Sequence, residues 1–496
     1  MSERAISFHF RGAIRQVEGL SPTRTVLQYL REECHATGTK EGCAEGDCGA
    51  CTVVIGEKRG DSLQLRAVNA CLQLLPMLDG KALFTVEDLA PLAPLPGTGS
   101  LHPLQQALVD GHASQCGFCT LGFVMSLFAL YENTPGCPSR DSVMEAISGN
   151  LCRCTGYRPI IDAMPAAWAL PRVGIERTAV LAALDEMAAL PTLEYRIGEQ
   201  CFIAPRSLAE LAAARQAMPE ARLVAGATDV GLWVTKQLRP IHDMIGLGAV
   251  PELKTIHRDA GTLVIGAGAS LTDAFAALVD FEPGWADIAR RFAAPPIKNA
   301  GTLGGNLANA SPIGDSMPGL IALDARVLLR RGERLRRVAL EDFYTGYQQT
   351  ALEPGEFIQA LELPPAPAGH LFRCWKISRR FDQDISSVCG AFALSLADGH
   401  VSDARIAFGG MAATPRRAPI TEALLVGQPW KADTISDAMA ALAEEFTPLG
   451  DLRASAAYRR QVAAKLLQRL WLEHREDDES GDGAVPVRLA DLEDTL

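Results

Sequence analysis

Gly42-Cys43-Ala44-Glu45-Gly46-Asp47-Cys48-Gly49-Ala50-Cys51, with Cys71 further along, is the stretch from which the rest of the chain is read. A C-x4-C-x2-C run followed by one remote cysteine is a spacing that wraps a [2Fe-2S] cluster in a loop. The glycines at 42, 46 and 49 carry as much of the reading as the thiols, because such a loop needs positive φ angles and backbone N–H groups aimed at sulfur. Zinc is the competing reading, but zinc sites usually pair two short C-x2-C knuckles. Cys43, Cys48, Cys51 and Cys71 are therefore the expected ligands.

Upstream, residues 5–10 and 13–17 alternate apolar and polar around Arg11-Gly12, as a β-hairpin does. Residues 25–30 carry an apolar face at helical spacing, and Thr52-Val53-Val54-Ile55 is β-branched and short enough for a buried strand. Hairpin, helix, cysteine loop and strand, in that order, resemble the β-grasp fold of the plant-type ferredoxins over residues 1–88, with Asn69-Ala70-Cys71 closing the loop.

The chain of 496 residues has room for about three or four domains. A formal charge of −12 without a basic block speaks against nucleic acid or anionic membrane as partners. No leading apolar segment and no run of about 18 apolar residues supports export or membrane spanning. Thirteen cysteines in such a chain read as metal ligands and buried thiols, and the expected compartment is the cytoplasm.

After a Pro/Gly-rich stretch at 91–99, the pattern turns helical at 104–109, 117–131, 142–147 and 159–170. Two of these helices begin near cysteines, in Gln115-Cys116-Gly117-Phe118-Cys119 and Asn150-Leu151-Cys152-Arg153-Cys154-Thr155-Gly156-Tyr157. Helix N-termini stabilise a negatively charged cluster, yet four cysteines at two helix ends suit zinc or a cluster equally.

The tandem of C-x4-C-x2-C…C followed by C-G-F-C…N-L-C-R-C-T-G-Y resembles the iron-sulfur portion of the molybdenum hydroxylases. The resemblance implies an all-helical domain at 89–170 that holds a second [2Fe-2S] cluster through Cys116, Cys119, Cys152 and Cys154. Leu121 stands where that family commonly has proline, which changes no ligand.

Residues 171–195, Ala-rich with prolines at both ends, read as a linker with a short helix. A new unit, 196–370, contains helical residues 207–218 and then Arg222-Leu223-Val224-Ala225-Gly226-Ala227-Thr228-Asp229-Val230-Gly231, a strand entering a small-residue turn able to cradle phosphate oxygens. Residues 299–315, rich in Gly, Asn and Ser, read as a long loop that wants a polar ligand. Together they resemble the vanillyl-alcohol-oxidase-type FAD domain of the same family. The resemblance implies that Leu223, Val224, Ala225, Gly226, Ala227, Thr228, Asp229 and Val230 hold the FAD pyrophosphate, and that Thr302, Gly304, Gly305 and Asn306 line the flavin and its phosphates. It further implies that Asp315 meets ribityl or ring atoms, that Phe292 packs on the isoalloxazine, and that Ile358 and Lys376 also contact FAD. Taken singly, Phe292 and Ile358 would read as plain core. Gly266-Ala267-Gly268-Ala269-Ser270 lacks the third glycine of a dinucleotide fingerprint and reads as a strand-to-helix turn.

Residues 371–480 form a further α+β unit, with a charged loop at 376–386, a strand at 401–408 and helices at 434–446 and 455–474. The stretch 476–483 is acidic, and 481–496 reads as a tail. Cys34, Cys137, Cys201, Cys374 and Cys389 have no family role and read as buried small hydrophobes.

The resemblance implies a multidomain α+β electron-transfer chain, closest in layout to the small subunit of bacterial xanthine dehydrogenases. Electrons from purine hydroxylation at a molybdopterin site on a large partner subunit would pass through two clusters to FAD and on to NAD, in an (αβ)2 heterotetramer. No residue here is then a base for purine chemistry, since a chain ending at Leu496 leaves no room for molybdopterin domains. An N-heterocycle or aldehyde hydroxylase of the same family, and a stand-alone iron-sulfur flavoprotein reductase, are the alternatives.

Overall fold

A computed structural model describes residues 3–90, 101–367 and 369–475. The expected linker at 91–99, the acidic stretch at 476–483 and the tail at 481–496 lie outside the described residues. The chain divides into two compact units, residues 1–254 with 270–272 and 293–302, and residues 255–269, 273–292 and 303–496.

The first unit is built on a five-stranded mixed sheet in the order Ala13–Val17, Ile6–Phe10, Ala82–Phe84, Thr52–Arg59, Ser62–Asn69. The hairpin turns at Arg11 (φ 53°) and Gly12 (φ 75°), the left-handed pair that matches strand twist. A Thr25/Gln28 capping box starts the helix Val26–Gln28, which runs on into a π-helical turn, Tyr29–Glu33. This sheet is buried on both faces. Val53, Ile55, Phe8 and Leu83 enter one core with Phe202, Val224 and Met244. Val54, Ala82 and Phe84 enter another with Phe123, Leu127, Phe128 and Met164. Strand alternation thus sends neighbouring residues into different cores, which is why Val53, Val54 and Ile55 are apolar on both faces.

The helices of the second core are Pro103–Asp110, Thr120–Asn133, Arg140–Ile147 and Arg158–Trp168. Thr120–Asn133 is apolar nearly all round because residues 122–129 are all buried. Leu121, partly buried, packs on the same core. The segment expected to be a linker holds a three-turn helix, Arg177–Ala188, whose Val180, Leu184 and Met187 are buried there too, so it packs as well as connects. A four-stranded sheet in the order Leu193–Ile197, Gln200–Ala204, Asp243–Gly246, Arg222–Val224 completes the unit.

The second unit contains a five-stranded antiparallel sheet in the order Ile256–Asp259, Thr262–Gly266, Phe357–Leu363, Arg326–Arg331, Arg334–Ala339. It also holds a four-stranded sheet, His370–Ile377, Val388–Ala397, His400–Gly409, Arg416–Arg417, backed by helices Pro419–Leu425, Ala432–Glu445 and Ala456–His474. Phe392, Phe408 and Leu467 are central to that core.

Candidate cluster and flavin sites

In the loop after the first helix, the four thiols lie as two pairs. Cys43 hydrogen-bonds Cys48, and Cys51 hydrogen-bonds Cys71. Backbone N–H groups of Glu45 (3.4 Å), Asp47 (3.3 Å) and Cys48 (3.3 Å) converge on Cys43 Sγ. The Cys48 thiol and these amides hold the Cys43 thiol far below its ordinary value, at about 5, against the opposing pull of burial. Its partner Cys48 is pushed up by the same hydrogen bond. Asn69 Nδ2 donates to Cys51 Sγ at 3.9 Å.

The backbone explains the glycines differently one by one. Gly46 (φ 80°) and Gly49 (φ 69°) are left-handed, as is Ala44 (φ 52°), whereas Gly42 is not. Gly42 is needed for closeness instead, since a Cβ there would stand 2.7 Å from Cys48 Sγ.

The second set repeats the pairing. Cys154 Sγ lies 3.8 Å from Cys116 Sγ, and Cys119 hydrogen-bonds Cys152. Burial and its neighbour Cys152 push the Cys119 thiol up to about 12. Burial also acts to raise Cys152, but hydrogen bonds from the Thr155 side chain and N–H outweigh it and lower that thiol. Cys119 is the N-cap of Thr120–Asn133, but Cys152 and Cys154 precede their helix by a turn closed at Gly156 and Tyr157, both left-handed. Only the first of the two expected helix ends therefore abuts a cysteine.

Two thiol pairs per set, with amides aimed at sulfur, suit a dinuclear cluster in which each iron takes two thiolates.

Two hydrogen-bonded clips tie these loops to their surroundings within the first unit. Leu151 N–H, one residue before Cys152, donates to the Cys48 carbonyl at 3.0 Å. Beside it the buried Asn150 donates to Gly49 O (3.0 Å) and accepts from Ser126 Oγ (2.6 Å). On the far side, Cys71 is followed by Leu72, whose backbone lies against Gly231, and by Gln73, which donates to Gly226 O at 2.9 Å. Asn150 and Gln73 were not singled out from the sequence. The only local signal for Asn150 was its place beside Leu151-Cys152.

The strand Arg222–Val224 enters the helix Val230–Thr235 through a turn in which Ala227 is left-handed (φ 56°). Gly226 passes so close to Ala300 that a Cβ would collide with its carbonyl, and Gly301 lies against Thr228. Val224, Gly226 and Ala227 are buried, while Leu223, Ala225, Thr228, Asp229 and Val230 are partly exposed. Thr302, also partly exposed, pairs with Ser270. A turn of small residues with a left-handed centre suits a phosphate-bearing cofactor such as FAD.

The segment 299–315 is a loop only in part, with residues 301–302 and 309–315 outside helices. It forms parts of the short helices Pro295–Ala300 and Leu303–Ala308, with Leu303, Gly304 and Leu307 buried. In the second unit Gly304 N–H donates to Ala267 O at 2.9 Å and leaves no room for a side chain against Ala267. Gly305 is exposed, and Asn306 accepts from Ser316 Oγ at 2.5 Å. Gly266 ends a strand that leads into the helix Leu271–Phe281, as expected for that turn.

Asp315 and Lys376, expected as separate contacts, are one buried ion pair at 2.6 Å. The other Asp315 oxygen accepts from Ser386 Oγ at 2.5 Å, so both carboxylate oxygens are engaged by protein. Arg291 donates to the Lys376 carbonyl and to Ser378 Oγ (3.0 Å). Phe292 is buried against Phe275 with ring centroids 4.9 Å apart, and Ile358 is buried in its strand, both as core residues sit. The charged loop is exposed at Arg379, Arg380 and Phe381, where Arg290 and Arg291 stand over the Phe381 ring, but its ends at Lys376 and Ser386 are buried.

Of the remaining cysteines Cys201, Cys374 and Cys389 are buried; Cys34 is half-buried and packs against the first core, whereas Cys137 is exposed and is no core hydrophobe. Cys137 lies just after a helix end, where the chain follows the surface.

Four families match in sequence order. They are described as 2Fe-2S iron-sulfur cluster binding domain (residues 8–75), [2Fe-2S] binding domain (85–165), FAD binding domain in molybdopterin dehydrogenase (195–366) and CO dehydrogenase flavoprotein C-terminal domain (373–474). The chain is 32% identical to a xanthine dehydrogenase of Emericella nidulans over 94% of its own length and 38% of that protein's. It thus spans about two-fifths of that relative. Among solved structures, a Cu,Mo-CO dehydrogenase chain superposes with TM-score 0.52 at 28% identity, covering 55% of this chain and 96% of that one. A chain of quinoline 2-oxidoreductase from Pseudomonas putida 86 gives TM-score 0.51 at 29% identity, covering 56% and 97%. No described helix is long and apolar enough to cross a membrane.

Proposed function

The chain belongs to the molybdenum hydroxylases, with their two iron-sulfur domains and their flavin domains, and on that premise we propose that it is the electron-transfer subunit of a xanthine dehydrogenase. Cys43, Cys48, Cys51 and Cys71 would hold one [2Fe-2S] cluster, and Cys116, Cys119, Cys152 and Cys154 the other. Residues 223–230 and Thr302 would receive the FAD pyrophosphate, and Gly304, Gly305, Asn306, Phe292, Ile358 and the Asp315–Lys376 pair would serve the flavin. When bound, the clusters carry electrons singly from purine hydroxylation on a molybdopterin-containing partner, and FAD gathers two for NAD.

The observation that carries this reading is the pair of clips on the first cysteine loop. The Leu151–Cys48 hydrogen bond fixes the two cysteine loops to each other, and Gln73, two residues after Cys71, fixes the first loop to the Gly226 turn. The first loop is thus the middle member of the series. The protein's part is to hold these segments at constant separation. The quinoline 2-oxidoreductase likeness favours a second reading, in which the partner selects an N-heterocycle other than a purine.

Co-purification with the partner tests both. A molybdopterin chain in equal amount, as an (αβ)2 complex whose flavin bleaches with xanthine and recovers with NAD, supports the first reading. Bleaching by quinoline-type heterocycles alone supports the second. The absence of any molybdopterin chain removes both.

A further inference from the structure

We propose that Gln73 is a positioning residue that presets the Gly226–Ala227 peptide for an anionic ligand; this rests on the reading of residues 223–230 as the FAD pyrophosphate turn. Gln73 is buried, and its Nε2 donates to Gly226 O at 2.9 Å across 153 positions of sequence. In a planar trans peptide the carbonyl and the following N–H point in opposite directions. Holding the Gly226 carbonyl toward Gln73 therefore turns the Ala227 N–H away from it. Beside that peptide Ala227 sits at φ 56°, which a residue with a Cβ seldom adopts unaided.

Alternatives to Gln73 as the holding group are few. Gly231 N–H donates to Ala227 O at 2.7 Å, which fixes the next peptide; Gly226 packs closely on Ala300, and Gln73 is the hydrogen-bond donor to its carbonyl. The backbone of Gln73 is itself anchored, with Val26 N–H donating to its carbonyl at 2.8 Å, so the side chain reaches out from a fixed base. Because Gln73 follows Cys71 by two residues, the device also ties the geometry of the turn to that of the cysteine loop.

The test compares the full-length chain with Gln73→Leu, Ala227→Gly and the double variant. FAD affinity is read by flavin fluorescence, iron content and EPR report the cysteine loops, and hydrogen exchange is followed at residues 222–231 with and without FAD. Gln73→Leu should weaken FAD binding about tenfold, ~1.4 kcal/mol, with iron content unchanged. Adding Ala227→Gly, which removes the left-handed penalty, should recover about threefold of that loss. A merely structural Gln73 would show no such rescue. If Gln73→Leu fails to fold, Gln73→Met keeps the length and removes the donor, and the same loss is expected. Unchanged affinity in the variant, or loss without rescue, overturns the proposal. If FAD binds the wild-type chain yet leaves exchange at 222–231 unaltered, the assignment of the turn falls, and the role of Gln73 with it. Protection of the turn combined with unchanged affinity in Gln73→Leu removes the role of Gln73 alone.

Discussion

Gly42→Ala adds one methyl group to the first cysteine loop, and the structure says what that methyl meets. Its Cβ would lie 2.7 Å from Cys48 Sγ and 3.5 Å from the Phe118 ring. Heavy atoms in contact settle at roughly 3.5–4.0 Å, so the sulfur or the loop must yield by about 0.8 Å or more. A thiol alone could rotate away, but a thiolate ligating iron cannot. Gly42 is not in the left-handed region, so the substitution carries no backbone penalty and the effect is steric. Overpacking of this kind costs about 1–3 kcal/mol, or roughly 5- to 150-fold in loading of that site. The assay is iron content and low-temperature EPR of the reduced chain, with Gly12→Ala as control. Gly12 is left-handed with nothing within 4 Å of the added atom, so its substitution strains the hairpin and leaves the iron untouched. The expected result is loss or distortion of one [2Fe-2S] signal in Gly42→Ala, with the other intact. Full loading with both signals unchanged would refute the loop geometry described above.

Replacing Asn150 by Leu removes the donor to Gly49 O and strands the Ser126 hydroxyl. The chain should lose about 2–3 kcal/mol in denaturant titration followed by cluster absorbance, and the signals of both clusters should shift. Lys376→Met leaves Asp315 buried without its cation at a cost of about 3–5 kcal/mol, while Lys376→Met combined with Asp315→Leu should recover most of it; thermal melts of the two variants decide. Burial, outweighing a hydrogen bond with Val173, holds His102 at about 4 against an ordinary 6.5. The unfolded chain then binds the extra proton first, so stability falls as pH drops from about 6.5 to about 4, by about 3 kcal/mol in all. His102→Gln should flatten that slope. Cys137 is exposed and should be the fast-alkylating thiol of the iron-loaded chain, with Cys137→Ser abolishing the label and sparing the iron.

What the sequence disclosed follows from the range of the interactions. Cysteine spacing is local, and in the structure the thiols of each set lie in two pairs. Strand and helix periodicities were equally legible, because the hairpin at 6–17 and the apolar helix at 120–133 announce themselves within a dozen residues. The clips were not. Asn150 meets Gly49 across 101 positions, Gln73 meets Gly226 across 153, and Lys376 meets Asp315 across 61, partners that only the fold selects. Gly42 shows a subtler limit. A glycine in a sequence does not say whether it is there for its backbone angle or for the space its missing side chain leaves. In the segment 299–315 the loop reading holds for 309–315 and fails at 303–308 for a related reason. Its Gly and Asn content looks like a loop, yet Leu303 and Leu307, four apart, bury one face of a short helix.

The central claim, that the chain carries two dinuclear iron-sulfur sites and a flavin, is tested most directly by metal and flavin analysis joined to an anaerobic reductive titration. The account predicts about four iron and one FAD per chain, two distinct reduced [2Fe-2S] EPR signals, and bleaching of the flavin within the same titration. Zinc in place of iron, or a single cluster signal from chain with both cysteine sets intact, would contradict it.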